Sequence, residues 1–245
     1  FFDDTFTSGK QWIRDFAKEY KKYIGFPYFM CTNPCLLQDE DLVYQLKESG
    51  LTYVEIGVQA IDEAFRIEKV KRPDSDKHIF KTAKMLRKHE IYFQANHIFG
   101  LDLKDFHDEK FLKETMNYYM KLDPNRTHCF ELEFLPGCEE TDRALNENRI
   151  SQEQYDKIHQ GDSSASYNFG GSLDEIEGMK NKNKIFTPYV VLLEMMPFLP
   201  YSLIQKALDN KLVFKLVRMI PHNYIILARL MNTLKDSRDI EGTPH

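Results

Sequence analysis

Residues Leu51–Gln59, LTYVEIGVQ, constrain the fold of this chain more than any other stretch. Val54, Ile56 and Val58 fall on one side and Tyr53, Glu55, Gly57 and Gln59 on the other, because successive side chains of a strand point to opposite faces. The stretch reads as a strand with one apolar and one polar face. A helical pattern follows it, and a helical pattern also follows the other strand patterns, which implies a parallel sheet covered on its outer face by helices. The apolar side belongs under those helices. The polar side must then look inward, and a carboxylate and a carboxamide placed there need partners or a ligand.

The same alternation runs through the first half of the chain. Phe1–Phe6 reads as a strand end, and Trp12, Ile13, Phe16, Tyr20 and Ile24 form the stripe of a helix stopped by Gly25. A second strand falls at about 27–32. Asp39 is placed to cap a helix whose stripe is Leu42, Val43 and Leu46 and whose stop is Gly50. After the 51–59 strand, Ser75 caps a helix carrying Ile79, Ala83 and Leu86. Further strands fall at 91–99 and 127–135, separated by a helix over 109–122. Gln94 and Asn96 share a face of the first of these. In the second, Phe130, Leu132 and Phe134 oppose Cys129, Glu131 and Glu133, and the two glutamates read either as polar lining or as an acid/base pair.

Three strands are thus expected to turn polar groups inward. A closed eight-stranded barrel fills its lumen with branched apolar side chains, so the pattern favours a wider or incomplete barrel with a wet, ligand-filled interior. A solvated face on an open sheet is the alternative. No Gly-x-Gly-x-x-Gly follows a strand, which leaves a dinucleotide fold unsupported. Asp3, Asp4, Asn33 and Gln59 lie at strand C-terminal ends, where βα-barrel sites are built.

Composition narrows the rest. Of 245 residues, 33 are Lys or Arg and 38 Asp or Glu, a net charge of −5 that argues against nucleic acid as the main partner. The cysteines Cys31, Cys35, Cys129 and Cys138 are too scattered for a disulfide framework and point to a reducing, cytoplasmic compartment. The histidines show no metal spacing, and no Gly-x-Ser-x-Gly elbow anchors a hydrolase triad. Beyond Cys138, 139–148 and 151–159 look helical, and 161–184 reads as a Ser/Gly-rich and then polar connection. The nearly uncharged run 185–204 is broken by Pro188, Pro197 and Pro200. The basic amphipathic segment that follows, at 211–230, is expected to pack over the barrel mouth in preference to a membrane surface. The expected division is 1–138 barrel, 139–184 connection and 185–245 α-helical region.

In their order and spacing, FFDDTFT, the cysteine-containing MCTNPC, GVQA with Lys71-Arg72 downstream, HIFGL and FLPG resemble the radical SAM superfamily from Phe1 to about Cys138. The resemblance is greatest to the subgroup that carries an N-terminal cobalamin-binding domain. It implies an α/β fold, a partial (β/α)6 TIM-like barrel missing its first strand here, followed by a helical C-terminal appendage. It further implies S-adenosylmethionine (SAM) and a [4Fe–4S] cluster across the strand C-termini, with a 5′-deoxyadenosyl radical as the reactive species.

Cofactor contacts follow from the resemblance position by position. Asp3, Asp4 and Thr5 stand where relatives receive the amino group of the SAM methionine, without the glycines usual there. Cys31 occupies a third-strand position that is often acidic. Gln59 matches a residue bonded to the SAM ribose or carboxylate, and Arg72 the basic residue that pairs with the carboxylate. Asn96 falls beside the ribose hydroxyls, Gly100 in the turn near adenine, and Pro136 at the close of a backbone stretch used for adenine contact. The family's Cys-x3-Cys-x2-Cys cluster loop is not in the chain: Cys31 and Cys35 have the first spacing, but Gln38 stands where a third cysteine is needed. Cluster ligands, and a cobalamin domain, are therefore expected upstream of Phe1, and the chain by itself is expected to hold neither cluster nor full activity. The implied reaction is hydrogen abstraction, followed in the cobalamin subgroup by methyl transfer to carbon or phosphorus. A radical SAM oxidoreductase or methylthiotransferase without cobalamin, and a degenerate barrel that only binds, are the alternatives. The implied partners are a small-molecule or peptide substrate and an electron donor such as ferredoxin or flavodoxin.

Overall fold

The computed structural model describes residues 1, 3, 5–101, 109–161 and 183–210, without the side chains of residues 131 and 183–188. In chain order these form α1 (Lys10–Tyr23), β1 (Tyr28–Thr32), α2 (Glu40–Glu48), β2 (Leu51–Gln59), α3 (Glu63–Glu68), α4 (Asp76–Lys88), β3 (Tyr92–Phe99), α5 (Glu109–Leu122) and β4 (Arg126–Glu131). The helices α6 (Glu139–Asn146), α7 (Gln152–His159), α8 (Asn183–Met195) and α9 (Tyr201–Asp209) complete the described chain. The four strands are parallel and lie in the order β1-β2-β3-β4. A doubly wound sheet reverses its order at a switch point; a sheet that adds each new strand beside the last is an arc of a βα-barrel wall.

Local sequence accounts for most of these elements. The Asp39 side chain accepts from the N–H groups of Asp41 and Leu42, and Glu40 and Asp41 sit at the positive end of α2. Gly50 ends that helix at φ 113°, a conformation open to glycine. Ser75 and His78 form a reciprocal capping box at the start of α4. On β2, Val54, Ile56 and Val58 are fully buried, and the core they enter includes Leu42, Val43 and Leu46 of α2 and Ile79, Ala83 and Leu86 of α4. Transfer of such side chains from water stabilises the fold by about 1.5–3 kcal/mol each.

Three expectations change. Residues 1–6 are not a strand in the described part: the Phe1 and Phe6 backbone nitrogens donate to the carbonyls of Phe29 (2.9 Å) and Cys31 (3.0 Å) on the outer edge of β1, and Thr5–Thr7 is a turn. The last strand stops at Glu131, short of residue 135. Its faces are also the reverse of those expected. Arg126, His128 and Phe130 pair with Gln94, Asn96 and Ile98 of β3 and share their side, while Cys129 pairs with the fully buried His97. Leu132 and Phe134 are buried, but beyond the sheet, so they extended an apolar alternation past the point where it reported a strand face.

The described part of the C-terminal region, 183–210, is largely helical, as expected. Pro197 lies in a 3-10 turn over Met196–Phe198 and Pro200 precedes α9, so the uncharged run is broken at these two, whereas Pro188 lies within α8 and does not end it. Among the described residues no helix is long and apolar enough to cross a membrane. Along β4, the N–H groups of even-numbered residues face β3, as the bond from Leu132 to Phe99 shows. The Cys129 N–H therefore points out of the open edge, where Oε1 of the fully buried Glu194 on α8 accepts it at 3.1 Å. The basic segment 211–230 and most of the 161–184 connection lie outside the described residues.

Candidate functional site

The end of β2 departs from regular strand geometry. Gly57 pairs with Asn96 and Gln59 with His97, so Val58 is bulged out of the register, and Gln59 takes φ 66°. A non-glycine residue in the left-handed region marks local strain of the sort held at ligand sites. The conformation folds the Gln59 side chain back over Gly57. A Cβ at position 57 would lie 2.5 Å from Gln59 Nε2 and 2.8 Å from Arg72 Nη2. Glycine is thus needed at position 57 to seat these two side-chain ends.

Arg72 arrives from the loop between α3 and α4. Its Nη2 donates to Asn33 Oδ1, at the end of β1, and at 3.5 Å to the Gly57 carbonyl. Its Nε lies 3.4 Å from Asp74 Oδ2. Asp74 is fully buried, and its Oδ1 accepts the Cys35 N–H at 2.7 Å. Among the described residues, Nη1 of Arg72 has no partner. Beside it, Gln59 Oε1 is buried and accepts no hydrogen bond from the described residues. A guanidinium with open donors fits a ligand carboxylate, and a buried carbonyl without a donor costs about 1–3 kcal/mol until one arrives.

Deeper in the sheet the inward polar face is a ladder. Tyr53 OH donates to Gln94 Oε1 (2.8 Å), Gln94 Nε2 to Asn96 Oδ1 (2.6 Å), and Asn96 Nδ2 to Glu55 Oε2 (3.3 Å). The expected inward carboxylate and carboxamides therefore do meet, bonded to one another across β2 and β3. Two titratable groups near the sheet are unsuited to acid/base or nucleophilic work. Burial pushes the Cys35 thiol up to about 11, helped by the Asp74 carboxylate beside it, and burial pushes His97 down to about 3.

The candidate residues are placed unevenly. Gln59 and Arg72 converge over Gly57, and Asn96 pairs with Gly57 one strand along. Cys31 is half-buried and pairs with Glu55. Gly100 is buried just past β3 at φ 92°, and Pro136 is exposed in a turn beyond β4. Asp3 is exposed and Thr5 opens a turn, while Asp4 lies outside the described residues. No hydrogen bond joins Asp3, Thr5, Gly100 or Pro136 to Gln59 or Arg72. Glu133 is exposed, apart from the ladder. Sequence reading gave Asn33 a place without a role and passed over Gly57 and Asp74. The available signal was an arginine, two residues before an aspartate, leading into a helix cap at Ser75. Among the described residues no three His, Cys, Asp or Glu side chains are grouped to hold a metal ion.

Residues 1–115 match the family model of the radical SAM superfamily. Among solved structures, the chain is similar to TsrM from Kitasatospora setae, a radical S-adenosylmethionine methyltransferase with cobalamin and a [4Fe-4S] cluster bound. That match has 15% identity and a TM-score of 0.47, and covers 54% of this chain and 27% of that one. It is also similar to the radical SAM enzyme HemN, coproporphyrinogen III oxidase from Escherichia coli, with 20% identity, a TM-score of 0.49, and coverage of 64% of this chain and 37% of that one. The chain thus spans well under half the length of either structure. No curated protein matches it.

Proposed function

We propose that this chain, which carries a radical SAM domain match over residues 1–115, binds S-adenosylmethionine across the C-terminal end of β2 as part of a radical SAM enzyme. The observation that carries this reading is the pairing of open Arg72 donors with the orphaned Gln59 carbonyl above a glycine. The residues fit the group. Arg72 receives the methionine carboxylate through Nη1, and the Gln59 carbonyl accepts from a ribose hydroxyl or the ammonium. Asn96, on the neighbouring strand, sits on the ribose side, and Gly57 leaves room for the Gln59 and Arg72 ends that would make these contacts. Arg72, Gln59 and Asn96 would hold SAM, and a reduced [4Fe–4S] cluster beside it would supply one-electron, radical-generating chemistry.

Within this reading, the resemblance of FFDDTFT, GVQA and HIFGL to the cobalamin subgroup favours a cobalamin-dependent methyl transfer to carbon or phosphorus; ferredoxin or flavodoxin is the class of electron donor such a reaction would need, and the scattered cysteines favour the cytoplasm as the compartment. Methylcobalamin binding by the intact protein tests that part. Its absence would turn the assignment to an oxidoreductase or methylthiotransferase without cobalamin. SAM binding is tested by calorimetry on the intact protein. Arg72→Ala is expected to weaken SAM by about 1.5–3 kcal/mol, the worth of a hydrogen bond to a charged group, and Gln59→Ala by about 0.5–1.5 kcal/mol. Unchanged affinity in both variants would remove the site.

A further inference from the structure

Asp74 does not reach the ligand position above Gly57, yet it joins two of the loops that build it. Its Oδ1 accepts the Cys35 N–H from the turn after β1, and its Oδ2 faces Nε of Arg72. The backbone around it is fixed as well. The fully buried Arg66 donates through Nε to the Asp74 carbonyl (2.8 Å), through Nη1 to the Ala60 carbonyl (2.5 Å) and through Nη2 to Asp76 (2.7 Å). One guanidinium thus ties the residue after Gln59 to the residue that faces Arg72. The Asp74 carboxylate is held from both sides before any ligand arrives.

That arrangement sets how Arg72 can act. Asp74 and Asn33 engage its Nε and Nη2. A guanidinium is planar, so engaging these two nitrogens fixes the direction of the third. We propose that Asp74 is a positioning residue that aims the open Nη1 of Arg72 at the ligand carboxylate, and so makes the site selective for the amino-acid end of SAM over its adenosine end. The proposal rests on the SAM reading of Arg72. An arginine without this brace would spread over many rotamers, and ordering it would cost part of the binding energy. A carboxylate that served only to hold the Cys35 turn would affect every ligand of the site alike.

The test compares SAM with 5′-methylthioadenosine, which keeps the adenosine and the methyl-bearing sulfur, as a neutral thioether, but lacks the amino-acid chain and its carboxylate. In the intact protein, Asp74→Asn is expected to weaken SAM roughly tenfold, the scale of one charge-assisted contact, and to leave 5′-methylthioadenosine unchanged. In an Arg72→Ala background the same substitution should have no further effect on SAM, because the two residues act as one unit. Equal losses for both ligands, no loss for SAM, or a full additional loss on top of Arg72→Ala would each overturn the proposal. If Asp74→Asn does not fold by circular dichroism, Asp74→Ser, which leaves space for water, takes its place in the same comparison. Failure of the SAM reading is visible separately: wild-type protein would not bind SAM, or Arg72→Ala would bind it normally.

Discussion

His97 stands on the helix-covered side of β3, with Nδ1 3.1 Å from the Tyr119 hydroxyl and its ring edge-on to Phe99. Burial holds the imidazole neutral and pushes it down to about 3 from an ordinary 6.5. The unfolded chain therefore takes up a proton below about pH 6.5 that the folded chain refuses until about pH 3. Stability is complete above that window and falls as pH drops through it. At pH 5 the loss is about 2 kcal/mol. Urea midpoints should fall between pH 7 and pH 5 in the wild type, and His97→Gln should flatten that fall. An equal slope in both would show that other groups carry it. The thiols separate in the same way. With Cys35 at about 11, roughly one molecule in a thousand carries its thiolate at pH 8, while Cys138 is exposed. Iodoacetamide should label Cys138 well before Cys35, read by peptide mass spectrometry. Gln59 was legible as the end of a recognisable strand and Arg72 only through the resemblance, which marks a basic residue downstream of GVQA; the structure brings the two together over Gly57. Asp74 was not legible, since its role depends on a backbone N–H from Cys35, thirty-nine residues away.

At the scale of elements, β2 and α2 respond to mutation in opposite ways. The side chains that a Cβ at position 57 would strike are the far ends of Gln59 and Arg72, both able to swing aside. Gly57→Ala should therefore cost little stability but displace both proposed SAM contacts, weakening SAM about tenfold or more. A protein that bound SAM normally with alanine there would not use this face of β2. Asp39→Ala removes the cap of α2 and one of the two carboxylates paired with Arg14 at once. It should lower the unfolding free energy by about 1 kcal/mol with SAM affinity unchanged. Caps such as Asp39 and Ser75 were legible because their signal lies within four residues of sequence. The inner face of β4 was not. Its apolar side is decided by α8, more than fifty residues further on, and a period-2 pattern cannot tell which of two faces a distant helix will cover.

For the whole molecule, what matters is how the arc of strands ends. Parallel sheets are usually buried on both faces, and a bare edge invites pairing with another chain. The segment around Phe1 and Phe6 lies along the β1 edge, and Glu194 of α8 meets the β4 edge. Strand order was readable from the βα alternation, but the edge contact was not, because no pattern marks a buried glutamate as a substitute for a strand. Glu194→Ala should remove the carboxylate acceptor of the buried Cys129 N–H, costing about 1–3 kcal/mol, and should speed hydrogen exchange at that amide. Unchanged exchange would mean that α8 and the sheet do not unfold together. Net stability is a small margin drawn from all such terms, and Gln59 draws on it. A left-handed residue with a side chain costs about 1–2 kcal/mol that glycine would not. Under laboratory selection for thermal tolerance alone, position 59 should drift to glycine; under selection for SAM use, it should stay glutamine. The strand end thus records which of the two demands the chain has been answering.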